Sequence, residues 1–287
     1  MKKQKSQYKR FTRSKFGNFT ALFFLVLAGL FTILPMIYSI ITSFKPLEEL
    51  LVFPPKFFVT RPTWQNYLEL PKIISSLSVP VSRYAFNSIF VAVVTTFFHV
   101  IVASMAAFVM SKGRYKWLGW LFILVQLSLL YNQYTLAIPQ YIIFSKLHIV
   151  DTYLAYIIPY LPSTLGVFLI KQYMDGSVPD ALIEAAYIDG ASEFRMFWSI
   201  IMPITKPAWM TLVLFSFRDL WSMLPQGTIF TEELKMLPNV MSTITAGGIA
   251  RSGSAMAATV ILMIPPIIVY MVSQSNVMET MSSSGIK

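Results

Sequence analysis

Residues 177–207 read SVPDALIEAAYIDGASEFRMFWSIIMPITKP, and they decide the architecture because two apolar runs flank them. Ser177-Val178-Pro179-Asp180 has the makings of a helix start: a hydroxyl to cap orphan N–H groups, a proline in the first turn and an acid to answer the helix dipole. The helix is expected to run through Leu182, Glu184, Ala185 and Ala186 to about Ile188. Asp189-Gly190 is turn chemistry, since glycine accepts positive φ without steric penalty. Ser192 can cap a second helix that ends before Pro203, with Phe194, Phe197, Trp198 and Ile201 on one face at i, i+3, i+4, i+7 spacing. The predicted unit is a helix–turn–helix whose first helix offers small Ala185 and Ala186 beside Glu184, which lets a foreign backbone approach closely.

Working outward, six segments are long and apolar enough for a crossing of about 20 helical residues, near 18–44, 84–111, 117–138, 153–173, 207–224 and 256–276. Backbone groups cannot go unpaired in lipid, so each is expected to be a helix. A β-barrel would need strict alternation over about 10 residues, and residues 21–30 and 260–270 do not alternate. The expected fold is therefore all-α, a polytopic membrane protein with six transmembrane helices. A basic tail (1–17) precedes the membrane region (18–276), with the loop 177–206 inside it, and a short tail (277–287) follows.

Composition agrees. Of 287 residues 55% are hydrophobic and only 13% charged, with a mean hydropathy of +0.61. Soluble domains carry about 25% charged residues, so this chain cannot wet a globular surface. With 23 Phe, 14 Tyr and 6 Trp it would not stay disordered in water either. There is no Cys and there are two His, which excludes thiolate and histidine metal sites and cysteine nucleophiles.

The net charge of +10 does not point to nucleic acid, because it is concentrated in Lys2, Lys3, Lys5, Lys9, Arg10, Arg13 and Lys15, directly before an apolar run. That run is too long for a secretory leader and is expected to be retained. Residues 1–17, 112–116, 171–206 and 277–287 hold 14 Lys and Arg, against 8 in the longer pieces 45–83, 139–152 and 225–255. The positive-inside rule then puts both termini in the cytoplasm.

The 177–207 loop is thus cytoplasmic. A helix that merely lies on the bilayer bears Lys and Arg on its polar face. Segment 175–193 instead holds Asp175, Asp180, Glu184, Asp189 and Glu193 and no cation, so anionic lipid repels it and a protein partner is the better fit.

Glu184-Ala185-Ala186, Asp189-Gly190-Ala191, Ile200, Pro203 and Pro207 resemble the "EAA" loop of permease subunits in binding-protein-dependent ABC importers. Ser43-Phe44-Lys45-Pro46, Phe53-Pro54-Pro55, Asn66-Tyr67, Asn87-Ser88 and Ala106-Ala107-Phe108 are similar to the carbohydrate-uptake branch, within it the six-span maltose-type subunit. The resemblance covers nearly the whole chain and implies the type I importer permease fold. It implies four partners: a sister permease, two ATPase subunits that hold ATP and Mg, an extracytoplasmic solute-binding protein, and a carbohydrate cargo, an oligosaccharide. It also implies that residues 184–191 dock on an ATPase, and that 280–287 touch the ATPase pair. One stretch departs: where many relatives carry Trp-Asn, this chain has Phe217-Arg218-Asp219-Leu220-Trp221.

Substrate-path candidates are Arg218, Asp219, Trp221, Asn132 and Tyr131. Intramembrane charges cost about 2.5–3.5 kcal/mol each on insertion scales, so they face cavities or partners. Arg218 either holds an anionic group such as a uronate or serves as a structural ion pair. Adjacent helical residues point about 100° apart, so Arg218 and Asp219 are not expected to pair with each other. Asn87, His99, Asn132 and Gln133 fit interhelical hydrogen bonding, and Tyr131, Tyr134 and Trp221 fit sugar stacking or an interfacial belt. No G-x-x-x-x-G-K-[ST] occurs, so this chain has no phosphate cradle, and no catalytic dyad is evident. The expected chain is a permease subunit, not an enzyme, with no cofactor of its own. The rival is an ion-gradient-driven secondary transporter working without an ATPase, which needs a buried acid; only Asp219 qualifies.

Overall fold

The computed structural model describes residues 15–75, 79–131, 133–224 and 227–284, and all regular structure among them is helical. Most of the expected basic tail 1–17, the end of the 277–287 tail and Asn132 lie outside the described residues. The main helices are α1 (Lys15–Ser43), α2 (Gln65–Ser75), α3 (Val81–Lys112), α4 (Trp117–Ser128), α5 (Gln133–Lys146), α6 (Leu154–Tyr160), α7 (Thr164–Ser177), α8 (Asp180–Ile188), α9 (Glu193–Ile204), α10 (Lys206–Trp221), α11 (Leu237–Thr245) and α12 (Ser252–Ser284).

Among the described residues four helical stretches are long and apolar enough to cross a membrane: Gly17–Ser43, Val81–Lys112, Leu154–Ser177 and Ser252–Thr280. A fifth counts if α9 and α10, bent by 79° at Thr205, are taken as one. The expected crossing at 117–138 is not one helix. It splits into α4 and α5, with i→i+3 hydrogen bonds from Leu130 and Tyr131 N–H tightening the chain after α4. Pro139 falls inside the second of these helices. Proline does not act uniformly. Pro35, Pro265 and Pro266 sit inside unbroken helices, whereas Pro162 lies in the turn that separates α6 from α7.

Lipid tails are as apolar as leucine, so helix association in a membrane relies on close packing of small residues and interhelical hydrogen bonds. The centre follows that rule. α3 packs on α7 and α10, and α10 packs on α12. Small buried residues on these helices include Ala92, Ala103, Ser104 and Ala107 of α3, Ala208 and Ser216 of α10, and Ala255, Ala257 and Ala258 of α12. At Gly166 of α7 a Cβ would lie 2.6 Å from His99 Nε2, so glycine is what allows α3 and α7 to approach. α1 stands outside this centre, packed mainly on α12, with Phe19 to Phe31 mostly exposed. Such an apolar surface belongs to lipid or a second membrane protein.

The chain after α1 is tied down by Asn66, whose amide donates to the carbonyls of Ser43 and Lys45 (2.8 and 2.7 Å), while Ser43 Oγ meets Tyr67 Oη at 2.8 Å. A Cβ on Gly253 would lie 2.5 Å from Asn66 Oδ1, so α12 closes over the same knot. These contacts bring Ser43, Lys45, Asn66 and Tyr67, far apart in two stretches of sequence, into one hydrogen-bonded knot.

Candidate functional site

Two regions are candidates for function, one at each end of the bundle. At the first, residues 177–206 fold as a rigid bracket. Its helix starts two residues later than the sequence predicts: Ser177 closes α7, and Pro179 takes the N-cap position with no side-chain cap. Asp180 still occupies the first turn, and α8 ends at Ile188 as expected. Gly190 adopts φ +72°, and its N–H donates to Tyr187 O at 3.1 Å. Ser192 Oγ accepts from Arg195 N at 3.3 Å, the expected cap.

α9 does not stop before Pro203. It passes through a wide π-type turn over Phe197–Ile201, where Met202 N–H donates to Phe197 O five residues back. Such a turn displaces the ladder, and the missing proline N–H is absorbed there. The phase change also redistributes the expected apolar face. Met196, Phe197 and Ile201 are buried, while Phe194 (69%) and Trp198 (40%) remain exposed.

The bracket is anchored by one core. Ile183 and Ala186 of α8, and Met196 and Ile201 of α9, pack with Ala103 and Ala107 of α3, Ile170 and Met174 of α7 and Leu212 of α10. Ala186 therefore points inward and is not available to a partner surface. Glu184, Ala185, Ile188, Asp189 and Gly190 are exposed, Ile188 at 86%, and Ala191 is half-buried against the core.

The acidity is also reduced. Lys112 Nζ, at the end of α3, donates to Val178 O and to Asp180 Oδ1, both at 2.7 Å, with its side chain only 8% exposed. Lys171 bridges Asp175 at 2.6 Å, and Ser111 Oγ donates to the same carboxylate at 2.5 Å. Glu184 and Asp189 are left as the uncompensated acids of α8 and its turn. Lys112 was visible in the sequence only as one cation of a short loop. No local spacing links it to Asp180, 68 residues on.

At the opposite end a cavity of about 600 Å³ opens between the α4–α5 break, α6, the 161–163 turn and the end of α10. Tyr131, Gln140, Tyr156, Tyr160, Ser163 and Asp219 line it, a mixture of rings and hydrogen-bonding groups. Asp219 lies 3.5 Å from the donor Tyr160 Oη. Arg218 and Asp219 do pair, at 3.1 Å, contrary to expectation. The 100° offset fixes only where the Cβ atoms point, and the long guanidinium stem curls back across it. Arg218 is exposed and does not line the cavity, and Tyr131 is 68% exposed at its rim. Trp221 is buried, stacked on Phe217 with its indole N–H on Leu262 O at 3.0 Å, so it is a core residue rather than a stacking platform for cargo.

Beside the cavity, residues 228–237 are stapled to the helices. Asn87 donates to Glu233 O and Lys235 O (2.7 and 2.9 Å) and accepts from Tyr153 Oη (2.6 Å). His99 Nδ1 reaches Leu161 O. Asn87 thus ties α3 to the 233–235 segment and to Tyr153, and His99 ties it to the turn after α6, rather than one helix directly to another. Asp151 accepts from Phe230 N and Thr231 N at 2.9 Å and from the Thr231 hydroxyl. Those bonds, the Thr231 hydroxyl foremost, hold the Asp151 carboxyl below its ordinary value of 3.8. A carboxylate with a depressed pKa stabilises above the unfolded value, and the contribution is lost as pH falls through the folded one. Lowering pH from about 5 to about 3 should therefore release residues 228–231, read as faster hydrogen exchange at Phe230 and Thr231. Asp151→Asn, whose amide still tolerates the φ of 60°, should show the fast exchange at neutral pH. Slow exchange in both cases would refute the staple.

A family model described as the binding-protein-dependent transport system inner membrane component matches residues 73–282. The chain belongs to this family. As an inner membrane component it is a multi-pass permease subunit and not an enzyme. It is 25% identical over 280 residues to an inner membrane ABC transporter permease protein of Escherichia coli (strain K12), covering 96% of this chain and 98% of that one. It is 24% identical over 268 residues to the arabinooligosaccharides transport system permease protein of Bacillus subtilis (strain 168), covering 93% and 94%. An sn-glycerol-3-phosphate transport system permease protein of Yersinia pestis is 27% identical over 216 residues, 74% of this chain and 76% of that one. In structure the permease resembles a chain of a bacterial ABC transporter involved in the import of the acidic polysaccharide alginate. The TM-score is 0.74 at 21% identity, over 92% of this chain and 98% of that one. That likeness establishes the type I importer permease fold, and the family match covers both the bracket and the cavity. Among the described residues no group of three or more His, Asp or Glu is arranged to hold a metal.

Proposed function

We propose that this permease pairs with a sister subunit to form the path of an ATP-driven importer, and that its 177–206 bracket couples the path to a separate ATPase. The cargo is a carbohydrate, an oligosaccharide, handed over by an extracytoplasmic solute-binding protein. The relative that carries arabinooligosaccharides and the ring-and-hydroxyl lining of the cavity support this reading. ATP and Mg belong to the two ATPase subunits. Both termini and the bracket lie on the cytoplasmic side, which the excess of Lys and Arg at that end supports. Arg218, matched by Asp219, presents no unpaired charge to an anionic cargo.

The carrying observation is the two-sidedness of α8. Ile183 and Ala186 fasten its back to the helix core, while Glu184, Ala185, Ile188 and Asp189 form an exposed front with an apolar centre and acidic flanks. A surface of that kind buries apolar area against a groove and takes basic partners at its rim. Displacement of the front is carried by packing to α3, α7 and α10, and α7 and α10 border the cavity at their other ends.

The chain's lack of cysteine makes the test clean. In the assembled importer, Ile188→Cys should crosslink to a cysteine in the ATPase groove, with a yield that changes between ATP-bound and nucleotide-free states. If this stretch never reaches the ATPase, or if an ion gradient alone drives uptake in vesicles lacking it, the coupling account fails. The second outcome would install the secondary transporter, with Asp219 as its acid.

A further inference from the structure

Leu161, Pro162 and Ser163 interrupt the helix between α6 and α7. Pro162 has no N–H to give, and Ser163 takes ψ 118°, which ends the helical ladder. The Leu161 carbonyl is released by that break and needs another donor, since an unpaired backbone group in a membrane interior is costly. His99, from the middle of α3, supplies it: Nδ1 lies 3.0 Å from Leu161 O. A carbonyl only accepts, so Nδ1 carries the proton, and Nε2, buried, has no hydrogen-bond partner. The ring is 1% exposed, packs edge-on against Tyr160 at 5.3 Å, and touches Gly166 so closely that a Cβ there would sit 2.6 Å from Nε2 and 2.9 Å from Leu212 Cδ2.

The other side of the same turn is cavity wall, where Tyr160, Pro162, Ser163 and Thr164 face the 600 Å³ space. His99 itself does not line it. We propose that His99 is a positioning residue of the transport path: its single N–H holds the non-helical 161–163 turn, and so sets the shape of the wall that cargo meets. This rests on the reading of the cavity as the path. The imidazole suits the task because it is flat enough to wedge between α3 and the glycine of α7, and it offers one donor aimed along its plane. A longer amide could reach the same carbonyl, whereas a phenyl ring would fill the space and leave Leu161 O unpaired.

Ser163→Cys in the assembled importer, reconstituted in vesicles, places one thiol on this wall in an otherwise cysteine-free chain. The probe is a water-soluble methanethiosulfonate carrying an ammonium group. With His99 intact, the thiol should label, at different rates in nucleotide-free and vanadate-trapped complexes. His99→Phe should change the nucleotide-free rate by about fivefold, the population shift expected from one lost buried hydrogen bond. His99→Gln should restore it. Gly166→Ala, which pushes the ring off its carbonyl from the opposite side, should reproduce the phenylalanine result should His99→Phe fail to assemble. An unreactive thiol in the parent would overturn the path reading itself. A reactive thiol with the same rate in His99→Phe and Gly166→Ala would overturn the role of His99 and leave the path reading standing.

Discussion

Gly190→Pro should abolish ATP-driven uptake, at least about a tenfold loss, while leaving the permease assembled in the membrane. Gly190 sits at φ +72°, and proline is confined near −65° and has no N–H for the Tyr187 carbonyl. The turn must therefore open, and α8 must swing relative to α9. No atom lies within 4 Å of where a Cβ at this position would stand, so crowding plays no part. That separates backbone angle from bulk. Gly190→Asn should be nearly silent, because asparagine visits the left-handed region, and Gly190→Ala should fall between them at about 1–2 kcal/mol of strain. The decisive readout is ATP hydrolysed per cargo moved. A graded rise in that ratio across Asn, Ala and Pro supports a lever whose angle matters, and equal uptake by all three removes the lever from the mechanism.

The bracket was largely legible in sequence because its determinants are local. Gly190 needs positive φ and Ser192 caps the residue three on, whatever surrounds them. The long helices α1, α3 and α12 were legible for a similar reason, since an apolar run must close its own hydrogen bonds in lipid. What local spacing hides is the direction in which a short helix turns. Glu184-Ala185-Ala186 reads as one small, accessible face, yet Ala186 packs into the core and Ala185 faces out, one residue and about 100° away. The wide turn at Phe197–Ile201 was equally invisible, because its only trace is a proline that also ends helices. Trp221 looked like a cargo platform by type alone. Its partner, Leu262 O, comes from a helix forty-one residues away, and such pairings cannot be read along a chain.

The same blindness hid Lys112, and the second large effect follows from it. Lys112→Met keeps the stem that packs at the end of α3 and removes the ammonium that grips both Val178 O and Asp180. Hydrogen bonds to charged groups contribute roughly 1.5–3 kcal/mol when dry. Asp180 is 82% exposed, so screening brings the pair toward about 1 kcal/mol, too little to unfold the bundle. Transport should suffer more than stability. Ile183 and Ala186 pack the middle of α8 onto the core, and Lys112 adds the polar tie that binds its first turn to the end of α3. Without that tie the first turn bends locally, and part of the motion of the exposed front is lost before it reaches the cavity. Uptake should drop by about tenfold with the melting temperature nearly unchanged, and ATP hydrolysis should continue unharnessed. Asp180→Asn, which leaves the Val178 contact, should cost less, and adding it to Lys112→Met should cost nothing further if both act through one link. A melting temperature that falls in step with uptake would make Lys112 a fold residue and not a coupling one.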